Sequence, residues 1–195
     1  MRLIAAASIA FATAAIAAPD LGRLTPILLQ PGVNRVPQFA ADGREARIVL
    51  AWRDNANAHG YDLFLVLMPT KRGGADWNVV GFETGNSFSD EIADAPHTGE
   101  DVATAVRFVR AGANPLVVVA RRRIVTSYPD PAETTISIYS LRQSEGVPGT
   151  TQDYFSVAKQ WRARNRYCNA ELALRDELNL PLRKNYQGSL RAGGC

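Results

Sequence analysis

The sequence predicts an α+β domain, in which a mainly antiparallel sheet of about five strands carries helices on one face. Two apolar runs flank a polar hinge in residues 46–68, which is typical of a β-hairpin with a long loop. Three further short apolar runs indicate strands at residues 77–82, 116–120 and 135–141. Because hairpins outnumber strand–helix–strand units, we expect antiparallel pairing, followed by a C-terminal helical segment.

The second strand of the hairpin has an apolar pattern on both of its faces. Period-two alternation places Leu63, Leu65 and Leu67 on one face. The opposite face carries Phe64 and Val66. A strand of this kind is expected inside a sheet that is covered on both sides.

Helical spacing of apolar residues predicts the helices. One helix is expected to begin at a cap formed by Thr98 and to end at Gly112, with apolar positions at Val102, Ala105, Val106 and Val109. A second is expected to begin at Thr151, with Tyr154, Ala158 and Trp161 on one face. A third is expected over residues 169–178, with Asn169 as its cap and Pro181 beyond its end.

The first residues indicate export. Residues 1–17 contain one positive charge, Arg2, then an uncharged Ala-rich run that ends in a small-x-small cleavage pattern. This is typical of a secretory signal peptide, and the run is too short to span a bilayer. We therefore expect residues 18–195 to form a single periplasmic or secreted domain with no transmembrane segment.

The cysteine content predicts one disulfide. The two cysteines of the chain are Cys168 and Cys195, with 26 residues between them. An even number of cysteines in an oxidising compartment favours a bond that holds the C-terminus to the preceding helical region. The alternative, a catalytic thiol at Cys168, lacks a supporting signature around that residue.

The charge pattern is asymmetric. The full chain carries a formal net charge of +3, which removal of Arg2 lowers to +2, too little to predict nucleic-acid binding. Residues 73–106 contain seven acidic residues and no Lys or Arg, whereas residues 121–123 and 159–166 are basic. These basic segments support one alternative, an envelope component that binds polyanions.

Two connections carry the candidate binding residues. The hairpin loop contains Asp54, Asn55, Asn57 and His59, beside Gly60, which we expect to allow a positive φ. The second connection, residues 85–97, contains Asp94 and His97. The hairpin loop allows two interpretations, a set of Asx turns or a binding tip on a rigid hairpin.

Catalytic and metal chemistry receive little support from the sequence. His59, His97 and Asp94 would meet as metal ligands only if both connections lie at the same end of the sheet, and we expect no metal site. A triad of Ser87, His97 and Asp94 lacks a nucleophile elbow. No phosphate loop or dinucleotide fingerprint is present, so no cofactor is expected.

Residues 51–60, Ala-Trp-Arg-Asp-Asn-Ala-Asn-Ala-His-Gly, resemble exported proteins grouped with the carbapenem self-resistance family. The likeness covers mainly the hairpin, residues 46–68, and brings no catalytic motif. It implies a periplasmic protective or binding role.

The sequence therefore favours an exported, non-enzymatic binding or protective protein that contacts a protein or small-molecule ligand through the two connections. The alternative is a small hydrolase in which His59 or His97 acts as general base near an acid.

Overall fold

The computed structural model describes residues 21–56, 60–71, 76–94, 102–146, 151–184, 186, 188, 190 and 191. Of these residues, 56% lie in strands and 6% in helix. The α+β prediction is therefore wrong. Within the described ranges, the chain forms a two-sheet β-structure with one short helix.

The larger sheet has seven strands. Their spatial order is β1 (Leu24–Pro26), β9 (Thr104–Ala111), β10 (Asn114–Arg123), β11 (Ala132–Gln143), β12 (Asp153–Tyr167), β6 (Gly81–Thr84) and β7 (Ser87–Ser89). All neighbours pair antiparallel except β12 and β6, which pair parallel.

The smaller sheet has five strands and contains the predicted hairpin. Its order begins with β2 (Gly32–Val36), β3 (Ala46–Arg53) and β4 (Tyr61–Pro69). Two short strands, β5 (Trp77–Val79) and β8 (Glu91–Asp94), then share the remaining edge of β4. The hairpin of β3 and β4 is confirmed, and its two strands pair antiparallel.

The main core lies between the two sheets. The smaller sheet contributes Ile48 and Val66, and the larger sheet contributes Val117, Val119 and further buried residues. Three aromatic rings pack near one another in this layer, with Phe82 stacked on Phe155 and Phe39 meeting Phe155 edge to face. This arrangement is a β-sandwich, in which each sheet buries one face against the other.

A second core lies on the outer face of the larger sheet. The helix α1 (Ala170–Leu178) covers this face and buries Leu172 and Leu174 against Val118 and Ile136. Its cap is Asn169, whose Oδ1 accepts a hydrogen bond from the backbone N–H of Glu171 at 2.9 Å. The prediction of a capped helix at residues 169–178 is confirmed.

The helix predicted from Thr98 to Gly112 is wrong, because residues 104–111 form β9. This strand is buried on both faces: Val106 and Phe108 enter the main core, whereas Ala105 and Val109 enter the second. A strand with two apolar faces reproduces the spacing of an amphipathic helix by coincidence. Gly112 adopts a φ of +58° in the tight turn between β9 and β10, so it ends a strand.

The helix predicted from Thr151 is also wrong, because residues 153–167 form the 15-residue strand β12. Its pairing with β11 contains two irregularities, between Glu133 and Thr135 and between Ile138 and Tyr139. Each extra residue in a bulge shifts the inward and outward positions. The two-residue period is therefore broken along β12, and the apolar residues imitate a helical spacing.

In the described part of the connection predicted at residues 85–97, two strands occur, β7 and β8. β7 continues the larger sheet, and β8 crosses to the smaller sheet and pairs with β4. The strand predicted at residues 77–82 is similarly divided, because the buried Val80 separates β5 in one sheet from β6 in the other. These changes of sheet bring the two layers together at one side.

Several predictions fall outside the described residues. These are the signal peptide over residues 1–17 and the positions of Asn57, His59, His97 and Cys195. No described cysteine is free, and Cys168 is buried directly after β12, but its bond to Cys195 stays a prediction. No helix in the described ranges has the length and apolar character needed to cross a membrane.

Candidate binding surfaces

The stems of the two predicted connections lie side by side. Arg53 and Tyr61, which flank the hairpin loop, pair across β3 and β4. One residue further, Asp62 of β4 pairs with Asp94, the last residue of β8. Both connections therefore leave the smaller sheet at the same end, which we call the loop end. The structure does not place the histidines, because His59 and His97 are not described.

Asp54 and Asn55 are exposed at the loop end. The Oδ1 atom of Asp54 accepts a hydrogen bond from the backbone N–H of Ala56 at 2.7 Å, and Ala56 has a φ of +54°. This is the Asx-turn geometry that one of the two sequence interpretations predicts. Asp54 therefore holds the turn, although its carboxylate remains on the surface.

Asp94 differs from Asp54 and Asn55 because it is fully buried. Its carboxylate accepts a hydrogen bond from the backbone N–H of Val106 and forms an ion pair with Arg183 of the C-terminal tail. Arg183 also contacts Asp62 at 2.7 Å. A buried carboxylate engaged in this way is not a loop-tip contact, so the predicted role of Asp94 on a binding surface is not supported.

Arg183 belongs to a larger ion cluster under the loop end. Its Nε atom lies 3.1 Å from Glu171 Oε1, and Arg107 contacts the other oxygen of Glu171. The cluster joins β4, β8, β9, α1 and the tail. Nothing in the sequence pattern signals Arg107 or Arg183, because an arginine at these positions is equally typical of a solvated face.

Burial determines the electrostatics of this cluster. It lowers the pKa of Arg107 to about 10, and the charge of Asp62 partly opposes that shift. Burial likewise lowers the pKa of Arg183, with the charge and hydrogen bond of Asp62 acting in the other direction. Burial therefore disfavours the charged form of both guanidinium groups, and Asp62 offsets part of this effect. The cluster joins elements of both sheets, α1 and the tail.

At Gly60, the side chain of Trp52 approaches the backbone closely. A Cβ atom at Gly60 would lie 2.2 Å from Cζ2 of Trp52. Glycine is therefore required by the close approach of the Trp52 indole, which is 57% exposed at the loop end. An exposed indole held against the backbone is an available contact group.

The outer face of the smaller sheet is apolar and uncovered by any described helix or strand. Leu63, Leu65 and Leu67 of β4 point to this face and are half-buried. None of the three belongs to either core. They are flanked by Val49 on β3 and Val79 on β5. We call this surface the open face.

Arginines stand at both ends of the open face. The guanidinium of Arg47 lies 4.1 Å from the ring centroid of Trp77, and that of Arg53 lies 5.5 Å from the ring of Tyr61. Arg53 follows Arg47 by six positions of extended chain, which corresponds to about 20 Å. Stacking on an aromatic ring holds each cation in place without removing it from solvent.

The two-sided apolar pattern of β4 therefore has a different meaning from the predicted one. The sequence indicates a strand covered on both faces, but the described chain covers one face. The pattern of Leu63, Leu65 and Leu67 predicts an interior position, whereas these residues form the open face.

A cleft of about 670 Å³ lies at the opposite end of the sandwich. Its charged lining residues are Asp42, Lys71 and Arg142. Asp42 is held by Arg44 at 2.8 Å, and Lys71 donates a hydrogen bond to Gln143 at 2.5 Å. Two of the three charged groups are thus engaged within the protein. Within the described ranges, no group of three His, Cys, Asp or Glu residues is placed to hold a metal ion.

Comparison with known proteins gives one informative likeness. No protein-family model matches the chain, and no curated protein matches it. A solved structure described as the crystal structure of CarG is similar, with a TM-score of 0.65 and 22% sequence identity. The match covers 85% of this chain and 99% of that chain. The resemblance predicted from residues 51–60 is therefore confirmed at the level of the fold, which this chain shares with CarG.

Proposed function

We propose that the mature protein is an exported, non-enzymatic binding protein with a protective role, and that it holds a protein partner through the open face. One observation carries the proposal: Leu63, Leu65 and Leu67 are only partly buried, on a sheet face that no described helix or strand covers. Contiguous apolar surface of this kind is typical of interaction sites on otherwise soluble domains.

The rim of the open face indicates the chemistry of the partner. Arg47 and Arg53 mark its two ends, about 20 Å apart along β3. Two acids also border the face: Glu45, which pairs with Arg35, and Glu91 on β8. The complementary partner is an apolar segment with carboxylates near both ends. An amphipathic helix of about four turns has this length.

The dimensions of the face disfavour a second copy of this chain. The open face is four strands wide, with about 4.8 Å between neighbouring strands, and about 20 Å long. Its area is therefore roughly 300 Å². A stable protein interface needs about 800 Å² from each partner. Self-association would also bring the arginine-bearing ends of two faces near each other. A single docked segment fits better than a dimer.

The engagement of Asp94 also supports a binding role over hydrolysis. The hydrolase alternative needs an acid beside a histidine base, and Asp94 is instead buried and paired with Arg183. The family resemblance of the hairpin and the predicted export signal support the protective part of the proposal.

Site-directed photo-crosslinking tests the surface. A photoreactive residue at position 65 should label a defined periplasmic protein, whereas the same residue at position 125 should not. Val125 is a matched control because it is apolar and 77% exposed but lies outside the open face. With the purified partner, Leu65→Lys should weaken binding about thirtyfold, as for a hot-spot residue, and Val125→Lys should leave it unchanged.

Three outcomes contradict the proposed surface. These are equal labelling at positions 65 and 125, labelling only of a second copy of this chain, and equal affinities of the two lysine variants. Circular dichroism of both variants shows whether the fold is retained.

Export and protection are tested separately in a β-lactam-sensitive bacterium. The full chain should be recovered from the periplasm without residues 1–17 and should raise tolerance to a carbapenem. A chain that lacks residues 1–17 should remain inside the cell and give no protection. Equal tolerance with and without the signal would contradict a protective role outside the cytoplasm.

A further inference from the structure

The larger sheet carries an exposed row of arginines where its inner face extends beyond the main core. On β10, Val117 and Val119 are buried in that core. The next positions on the same face, Arg121 and Arg123, are exposed. The face of this strand therefore changes within two residues from apolar and covered to cationic and open.

Strand pairing brings a second pair of arginines to the same place. Arg121 lies opposite Thr135 of β11, which lies opposite Arg162 of β12. Arg123 lies opposite Glu133, which lies opposite Arg166. Residues that are about forty positions apart in the sequence thus form one four-cornered group. We call Arg121, Arg123, Arg162 and Arg166 the arginine face.

Arg122, the middle residue of the basic segment 121–123, does not belong to the arginine face. Arg122 points to the opposite side of the sheet and is buried. Its Nε atom donates a hydrogen bond to the carbonyl oxygen of Tyr167 at 2.9 Å, and its Nη2 atom donates to that of Asp130 at 2.9 Å. Arg122 therefore anchors the turn that follows β10, and alternation along β10 places its two neighbours on the surface.

Among the described residues, one carboxylate forms ion pairs with the arginine face. Glu133 lies 3.4 Å from Arg123 and 3.1 Å from Arg162, so it is shared between them. The side chains of those two arginines remain 76% and 71% exposed. Arg166 donates to the carbonyl oxygen of Pro131 at 2.7 Å, which orients its guanidinium. The side chain of Arg121 forms no hydrogen bond or ion pair with a described residue.

This concentration of charge is large for a chain whose formal net charge is +3. Four guanidinium groups face the single carboxylate of Glu133, so the remainder of the chain is close to neutral. Charge collected on one small face attracts anions, whereas the same charge spread over the surface does not.

We propose that the arginine face binds a ligand that carries two or more phosphate groups. Arginine presents a planar fork of N–H donors that matches phosphate oxygens. The corners are about 7 Å apart along β10 and about 10 Å apart between β10 and β12. Two phosphates at a similar separation can therefore each contact a pair of arginines. This site lies on the larger sheet and is separate from the open face.

A substitution at Glu133 can distinguish an anion-binding site from an ordinary charged surface. It holds Arg123 and Arg162 in position, but its own negative charge competes with a bound phosphate. Replacing its charge while keeping its shape, as in Glu133→Gln, should therefore tighten phosphate binding. If the four arginines only stabilise the sheet through Glu133, the same change lowers the melting temperature without improving affinity.

Calorimetry with inositol hexakisphosphate tests the site in the mature protein at low salt. Arg121→Gln and Arg162→Gln should each weaken binding about fivefold to tenfold, as expected for the loss of one partly exposed charged contact. Glu133→Gln should tighten binding about threefold or more. Arg142→Gln is the matched control because it removes one exposed arginine from the other end of β11, and it should change affinity less than twofold.

The source of the phosphates is distinguished by a parallel measurement on vesicles that contain an anionic phospholipid. Vesicle binding that Arg121→Gln weakens and Arg142→Gln spares supports a lipid headgroup as the ligand. Soluble binding with the same variant pattern and no vesicle binding supports a free phosphorylated molecule. Equal effects of Arg121→Gln and Arg142→Gln, or absence of binding to both probes, overturn the proposal. An unchanged or weaker affinity of Glu133→Gln overturns it as well.

Discussion

Asp62 and Asp94 lie directly opposite each other on β4 and β8, and the guanidinium of Arg183 contacts both carboxylates. Like charges at paired positions of a sheet destabilise it, unless a cation lies between them. Arg183 comes from the tail that follows α1, which itself packs on the larger sheet. This contact therefore fastens the C-terminal region to both layers of the sandwich.

Removing the side chain of Arg183 should destabilise the folded protein. Arg183→Met leaves the fully buried Asp94 without its cation, and we expect the free energy of unfolding to fall by about 3 kcal/mol or more, as for a broken buried pair. Urea unfolding at pH 7 measures the loss. The control Arg35→Met removes an exposed partner of Glu45 and should cost about 0.5 kcal/mol.

A second substitution separates charge from packing at this site. Asp94→Asn should recover part of the loss in the Arg183→Met background, because it removes the uncompensated charge and keeps an oxygen for the Val106 N–H. A double variant less stable than Arg183→Met would show that the ion pair does not account for the effect.

Asp42 gives a pH-dependent contribution at the other end of the sandwich. Partial burial acts to raise the pKa of this carboxyl, but hydrogen bonds and charge from Arg44 outweigh it and hold the pKa below 3.8. A depressed pKa stabilises the folded state above pH 3.8, and the contribution is lost as the pH falls through the folded-state value. Asp42→Asn should therefore be slightly less stable than the wild type at pH 7.

Urea unfolding of Asp42→Asn and the wild type at pH 7, 4 and 3 checks this sign. The difference should be about 0.5 kcal/mol at pH 7, because the carboxylate is partly solvated, and should shrink towards pH 3. A difference that grows as the pH falls would contradict the assignment to the charged form of Asp42.

Gly60 and Trp52 should be coupled. A methyl group at position 60 would overlap the indole, so Gly60→Ala should displace Trp52 and cost about 1 kcal/mol. The change should shift tryptophan fluorescence to the red. In a Trp52→Ala background the same glycine substitution should cost little, because the indole is gone. An equal cost in both backgrounds would indicate a backbone requirement at Gly60.

The predicted disulfide is tested by thiol titration. The denatured, unreduced mature protein should contain no free thiol, and reduction should release two. Cys195→Ser should lower the free energy of unfolding by about 3 kcal/mol, the chain-entropy contribution of a loop of this size. Two free thiols in the unreduced protein would show that Cys168 and Cys195 are unpaired.

The sequence correctly predicted those elements whose local residue pattern fits only one kind of secondary structure. The hairpin was predicted because its alternation and polar loop are visible within 23 residues, and α1 was predicted because Asn169 caps it locally. The segments at 104–111 and 153–167 were predicted as helices because neither shows the two-residue period that identifies a strand. In β9 the period is hidden because both faces are buried, and in β12 it is broken by bulges.

The candidate surfaces were likewise predicted only in part from the sequence. The sequence singled out the hairpin loop, and the structure places its stem beside Asp94. The sequence also indicated the basic segments at 121–123 and 159–166. They lie close together only because β10 and β12 both pair with β11. Arg107 and Arg183 could not be predicted, because their carboxylate partners Asp62, Asp94 and Glu171 are far away in the chain.

The sequence by itself determined the hairpin and the capped C-terminal helix, and the export signal stays a prediction. Each of the three depends on residues within one short window. Tertiary structure alone decided that two central segments are strands, that Asp94 is buried, and that four arginines share a face. The physical reason is that strand pairing and ion pairing join residues distant in sequence. Their free energy depends on which surfaces the other elements leave open, and no local window contains that information.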